Sequence, residues 1–177
     1  NFNDIQGGEY FDYDNSTLND SFVGHLGPNS QSSWFNNFGE PQIVCGELQT
    51  TNAGSFRALN GPPTGGESIS QFGQAAGSSN QRIFFKVDMT TSVGTTFSGL
   101  SFFNSTGEQM FFGVLGGTGT FGIEETGGAQ NAGATAPTPG TTVTLVGTID
   151  EDLGDRFAKL FIDPDLTMSE PDFGDFE

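Results

Sequence analysis

Thr142-Val143-Thr144-Leu145-Val146-Gly147-Thr148-Ile149, followed by Arg156-Phe157-Ala158-Lys159-Leu160-Phe161-Ile162, is the stretch whose reading decides the fold. Successive side chains of an extended strand point to opposite faces. Val143, Leu145 and Gly147 therefore share one face, and Thr142, Thr144, Val146 and Thr148 share the other. The second segment reads as the return arm of a hairpin whose turn runs from Asp150 to Asp155. Asp163-Pro164 ends that arm, because proline has no N–H to give to a ladder.

Short segments of the same kind extend N-terminally from this pair. Strands are expected at Glu9–Tyr13, Ser21–Gly24, Trp34–Phe38, Gln42–Cys45, Ser55–Leu59 and Ser68–Phe72. They continue at Arg82–Met89, Phe97–Phe103, Glu108–Leu115 and Thr120–Glu124. Gly, Asn, Ser, Thr and Pro separate them. Residues Gly127 to Gly140 contain only Gly, Ala, Thr, Pro, Asn and Gln; with little to bury they read as a long exposed loop. No segment carries a convincing helical pattern. The fold class is therefore all-β, a two-sheet antiparallel sandwich.

Glycine occurs 27 times and phenylalanine 19 times, against 5 lysines and arginines, a composition hostile to helices. Apolar residues are 33% of the 177, but large Phe side chains bury as much area as many small aliphatics. One domain is expected over residues 1–166, with an acidic tail over residues 167–177. The formal charge of −17 repels nucleic acid and anionic membrane surfaces alike. It suits either simple solubility in an extracellular medium or binding of divalent cations by clustered carboxylates. Cys45 is the one cysteine, so it neither staples the fold nor builds a zinc site; it reads as a small buried residue on a strand. No apolar stretch reaches the length of a membrane span. A chain that begins at Asn1 without a signal peptide reads as a mature secreted protein, extracellular or on a cell surface.

Several segments resemble a family of bacterial extracellular domains. The run Tyr10-Phe11-Asp12-Tyr13-Asp14-Asn15-Ser16-Thr17-Leu18 is similar to that family's opening strand and turn. Trp34, Phe84-Phe85 with Val87, Gly99 to Phe103, Glu108 to Leu115, Ile149-Asp150 and Lys159 to Leu166 follow in a similar order. Across residues 8–166 the chain resembles laminin-G-like, concanavalin-A-like domains of secreted or sorting-tagged surface proteins of planctomycete type. The resemblance implies a jelly roll. In that family the first strand pairs near a last strand lying beyond the turn that Asp163 to Leu166 would form; here little chain follows, and it is acidic.

Candidate sites are few. Laminarinase-like enzymes of similar fold carry a Glu-x-Asp-x-x-Glu strand, a spacing this chain lacks. The one histidine, His25, stands in a Gly-flanked loop and reads as plain surface, so no catalytic residue is assigned. Calcium is the better site hypothesis, since hard cations take several loop oxygens. Asp12, Asp14, Asn19 and Asp20 lie in one turn; Asp150, Asp152 and Asp155 lie in the last hairpin with Asp163 and Asp165 just beyond. The alternative is a solvated acidic surface. Asn15, Asn19 and Asn104 head glycosylation-type sequons in expected turns, and Thr135 to Pro139 suits O-glycosylation. The pairs Phe84/Phe85, Phe102/Phe103 and Phe111/Phe112 each put one ring inward and one outward, which predicts an outward apolar stripe.

These features point to a non-enzymatic structural subunit of an extracellular filament, matrix or surface layer, a homopolymer joined through sheet edges or faces. Phe173 and Phe176 in the tail are expected at the interface as a donated segment. The competing expectations are a Ca²⁺-dependent, lectin-like adhesion module that holds glycans, and a hydrolase with a cryptic carboxylate pair.

Overall fold

A computed structural model describes residues 35–39, 41–44, 47–50, 53–56, 81–92, 97–104, 107–125, 127–152 and 155–168. The expected strands at 9–13, 21–24 and 68–72 lie outside these residues, as do His25, Cys45, Phe173 and Phe176. The described residues are all-β: eleven strands and no helix. All strand pairs are antiparallel.

The strands fall in two compact units. The first holds β1 (Phe35–Phe38), β2 (Gln42–Val44), β3 (Glu47–Gln49) and β4 (Gly54–Phe56). There β1 pairs with β4 through Phe35↔Phe56, and β2 pairs with β3 through Ile43↔Leu48. The second unit holds β5 (Gln81–Thr90), β6 (Ser98–Asn104), β7 (Gly107–Val114) and β8 (Phe121–Glu125). It also holds β9 (Ala129–Ala132), β10 (Thr142–Asp152) and β11 (Asp155–Ile162).

Among the described residues, two sheets make up this second unit. One runs β11-β10-β5 and the other is the meander β6-β7-β8-β9. Their facing sides share one core, a sandwich-like arrangement. Phe85, Val143, Leu145, Ile149 and Leu160 come from the first sheet; Met110, Phe112, Val114, Phe121 and Ile123 come from the second. The face expected to carry Val143, Leu145 and Gly147 is the core face, and period-two alternation explains why.

Three aromatic rings join the sheets. Phe85 meets Phe112 edge-on at 4.7 Å between centroids and Phe102 at 5.2 Å, and Phe102 meets Phe112 at 5.9 Å. Such tilted contacts set the electropositive ring edge against a ring face. Gly147 lies opposite Phe85 in the ladder. A Cβ at Gly147 would collide with Cζ and both Cε atoms of the Phe85 ring, so the ring lies on bare backbone.

Two expectations are corrected. Residues 127–140 are not wholly a loop, since Ala129–Ala132 forms β9, paired with β8 from Gly122↔Ala132 to Glu125↔Ala129. Four exposed small or polar side chains add no burial there; the strand is ordered by its ladder. The chain beyond is pinned as well. Phe121 N–H donates to Thr135 O, Gly133 N–H to Phe121 O, and Gly140 N–H to Thr91 O. The second correction concerns the last hairpin. Its ladder runs without interruption from Leu145↔Ile162 to Asp152↔Asp155, so Asp150, Glu151 and Asp152 are strand residues and not turn residues.

The outer face of β10 is also covered. Val146 and Phe161 are buried and Leu166 packs against them. Thr148 on the same face is fully buried, and its Oγ1 has no hydrogen-bond partner.

Two substitutions separate these packing effects. Gly147→Ala gains roughly 0.5–1 kcal/mol from a less flexible unfolded backbone. It forces a methyl group into a ring held by two others, which costs about 1–3 kcal/mol. The clash wins, so urea titration should show a net loss of stability. Thr148→Val keeps the shape and removes the orphaned hydroxyl, so the same titration should show a gain of about 1 kcal/mol.

Candidate functional site

The outer face of the four-stranded sheet is built on glycine. Gly99, Gly113 and Gly122 line up across β6, β7 and β8. A Cβ at Gly99 would come within 3.0 Å of Phe111 Cζ, and one at Gly122 within 2.7 Å of Leu115 Cδ1. Phe111 and Leu115 thus fold down onto the missing side chains and are buried there. Phe97 meets Phe111 edge-on at 5.3 Å and 85°. This corrects the expected stripe of outward phenylalanines. Phe85, Phe102 and Phe112 do point inward, but the outward Phe111 is only 8% exposed. Phe103 remains open at 56% and Phe97 at 53%.

Both open rings belong to the β6 edge. β6 ends its sheet among the described residues, with β7 as its partner. Phe97-Ser98-Gly99-Leu100-Ser101-Phe102-Phe103-Asn104 contains no charged residue and no proline. Edge strands are ordinarily blunted by charge, proline or short length. β5, the other sheet's terminal strand beside β10, carries Arg82, Lys86 and Asp88. β11 carries Asp155, Arg156 and Lys159, and β9 is only four residues long.

A small recess opens where β7 and β8 meet, lined by Glu108, Phe111, Glu124, Glu125 and Gly127, with a volume of about 110 Å³. Gln130 Nε2 donates to Glu124 Oε2 across the β8–β9 ladder at 2.5 Å. The recess is well below the roughly 300–1,000 Å³ of ordinary small-molecule sites. Among the described residues no three His, Cys, Asp or Glu side chains gather closely enough to hold a metal ion. The three glutamates were not singled out from sequence, because only the β7–β8 register places Glu124 beside Phe111.

Among the described residues, the acidic residues of the last hairpin stand apart from those just beyond it. Asp12, Asp14, Asn19 and Asp20 lie outside the described residues, as do the sequon residues Asn15 and Asn19. Asp152 and Asp155 face each other at the turn end of the last hairpin. Asp163 and Asp165 lie past the far end of β11, a strand length of roughly 26 Å from Asp155. There they shape the chain. Asp163 sits at φ 47°, its N–H donates to Thr144 O and its Oδ1 accepts from Thr144 N–H, both at 2.8 Å. Asp165 Oδ1 accepts from the Thr167 hydroxyl at 2.6 Å and from its N–H at 2.9 Å. Those two bonds hold the Asp165 carboxyl below its ordinary pKa. Asn104 is the last residue of β6, paired with Gly107.

On the outer face of the other sheet Lys86, Asp88 and Thr144 form a polar group. Lys86 Nζ donates to Asp88 Oδ2 and the Thr144 hydroxyl donates to Asp88 Oδ1 at 2.7 Å. Partial burial alone would raise the Asp88 pKa. The bonds from Lys86 and Thr144, with the Lys86 charge, outweigh it and hold the carboxyl below its ordinary value.

Comparison of the chain with protein-family models, with curated proteins and with solved structures found no match. No helix among the described residues is long and apolar enough to cross a membrane.

A depressed carboxyl pKa stabilises the fold above the ordinary aspartate value of about 3.9. That contribution disappears as the pH falls through the lower folded-state value. Asp88→Asn should therefore lower the melting temperature at pH 7 and flatten its decline below about pH 4, relative to wild type. Parallel melting curves for the two proteins over that range would expose a wrong assignment.

Proposed function

We propose that this chain is a secreted, non-enzymatic structural subunit of an extracellular filament, matrix or surface layer. It is built on a jelly-roll sandwich and joins copies of itself through a sheet edge. The observation that carries this reading is the β6 edge. It is a seven-residue strand without charge, terminal among the described residues, with the half-exposed Phe97 just before it and the half-exposed Phe103 near its end, in a chain of net charge −17. Unpaired N–H and C=O groups along such an edge are a template for another strand.

The charge sets the condition for assembly. Long-range repulsion between strongly acidic copies keeps them apart until salt screens it. The Debye length falls from about 30 Å at 0.01 M to about 10 Å at 0.1 M salt. At the higher value only the neutral edge and its near neighbours matter, and the edge opposes nothing.

Light scattering and negative-stain imaging across a sodium chloride series check this. Dispersed chains are expected at about 0.01 M and ordered polymers above about 0.1 M. A chain that stays monomeric at every salt concentration, yet binds glycans in an EDTA-sensitive way, would be an adhesion module instead.

A further inference from the structure

We infer that one contact of the assembly, the one that closes two copies into a two-fold dimer, is an antiparallel pairing of β6 with β6 of a second copy, centred on Ser101; growth from dimer to polymer takes a second surface. It rests on the structural-subunit reading above and names that subunit's partner surface.

Three observations converge on this register. First, covering an edge strips water from any charged side chain on it, so the edge that pairs at least cost is one without charge. β6 has none, whereas β5 carries Arg82, Lys86 and Asp88 and β11 carries Asp155, Arg156 and Lys159. Second, Ser101 is the midpoint of Ser98–Asn104, and a two-fold axis through it gives the full overlap. The pairs are then Ser98 with Asn104, Gly99 with Phe103, Leu100 with Phe102, and Ser101 with itself. Third, those pairs match chemically. Leu100 and Phe102 both pack on the core, so the inner faces of two four-stranded sheets continue into one eight-stranded sheet. Gly99 and Phe103, both exposed, meet across the contact on the outer face. A phenylalanine opposite a glycine also occurs within the chain, where Phe85 lies opposite Gly147 in the β5–β10 ladder. Each Phe103 ring, 56% exposed in the single chain, would gain cover at Gly99 of the other copy, beside the Phe111 ring that already lies there.

A disulfide reports the register. Directly opposed residues of an antiparallel pair have Cα atoms about 4.5–5.5 Å apart, within the span a disulfide bridges. Ser101→Cys in a Cys45→Ala background, oxidised mildly at polymer-forming salt, should give a covalent dimer on non-reducing gels. Its yield should exceed that of Thr90→Cys on β5 in the same background by at least about five-fold. Hydrogen exchange on the unmodified chain gives a second reading that no substitution can disturb. Amides of residues 98–104 should gain protection on passing from dilute low-salt solution to polymer. Polymers that form without Ser101 cross-linking and without new protection at 98–104 would overturn this contact and leave the structural-subunit reading standing. Cross-linking of Ser101→Cys to Phe176→Cys in the tail would overturn it in favour of a donated segment. A wild-type chain that never associates would remove both.

Discussion

The seat of the Phe85 ring on Gly147 is the contact on which the two-sheet unit depends. A ladder position that carries no side chain lets a ring from the neighbouring strand lie across it. The ring then projects far enough to touch Phe112 and Phe102 of the opposite sheet. Each large ring buries area that several small side chains would be needed to match. This is how a chain with 33% apolar residues builds a dense core. The cost is local: glycine in a strand gives up more backbone entropy than other residues, roughly 0.5–1 kcal/mol relative to alanine. A ring contact of 0.5–1.5 kcal/mol beyond its area burial offsets that loss.

The same device appears on the outer face with a different result. Phe111 and Leu115 lie on the glycines of β6 to β8 and take themselves out of solvent. What is left open is the margin of that face, Phe97 and Phe103 beside an uncharged strand. Charge is plentiful elsewhere and does structural work there. Asp163 and Asp165 hold the chain beyond β11, and Asp88 ties Thr144 to Lys86. Charged residues thus stand on β5, β7, β8, β10 and β11, whereas β6 has none.

Much of the fold was legible because period-two alternation is a local property. The expected segments at Arg82–Met89, Phe97–Phe103, Glu108–Leu115, Thr142–Ile149 and Arg156–Ile162 all lie within or closely overlap observed strands. β9 was not legible, since Ala129-Gln130-Asn131-Ala132 has no apolar alternation and becomes a strand only because β8 offers it a ladder. The acidic hairpin misled for a related reason. Asp150 and Asp152 look like turn residues, but pairing with β11 and, at Asp150, with Arg82 of β5 keeps them extended. The recess at Glu108, Glu124 and Glu125 depends on register between strands, which no single segment records.

The amino-acid sequence by itself determined that the described residues are all-β, which face of β10 enters the core, and that Asp163-Pro164 closes β11. Each follows from the geometry or the donors of a single extended segment. Tertiary structure alone decided that Phe111 is hidden while Phe103 is open, and that β6 stands at the end of its sheet among the described residues. It also decided that the acidic residues of the last hairpin and those beyond it lie at opposite ends of β11. Those outcomes depend on which strands are neighbours, and neighbours are chosen by the packing of the whole core and not by the residues of one strand.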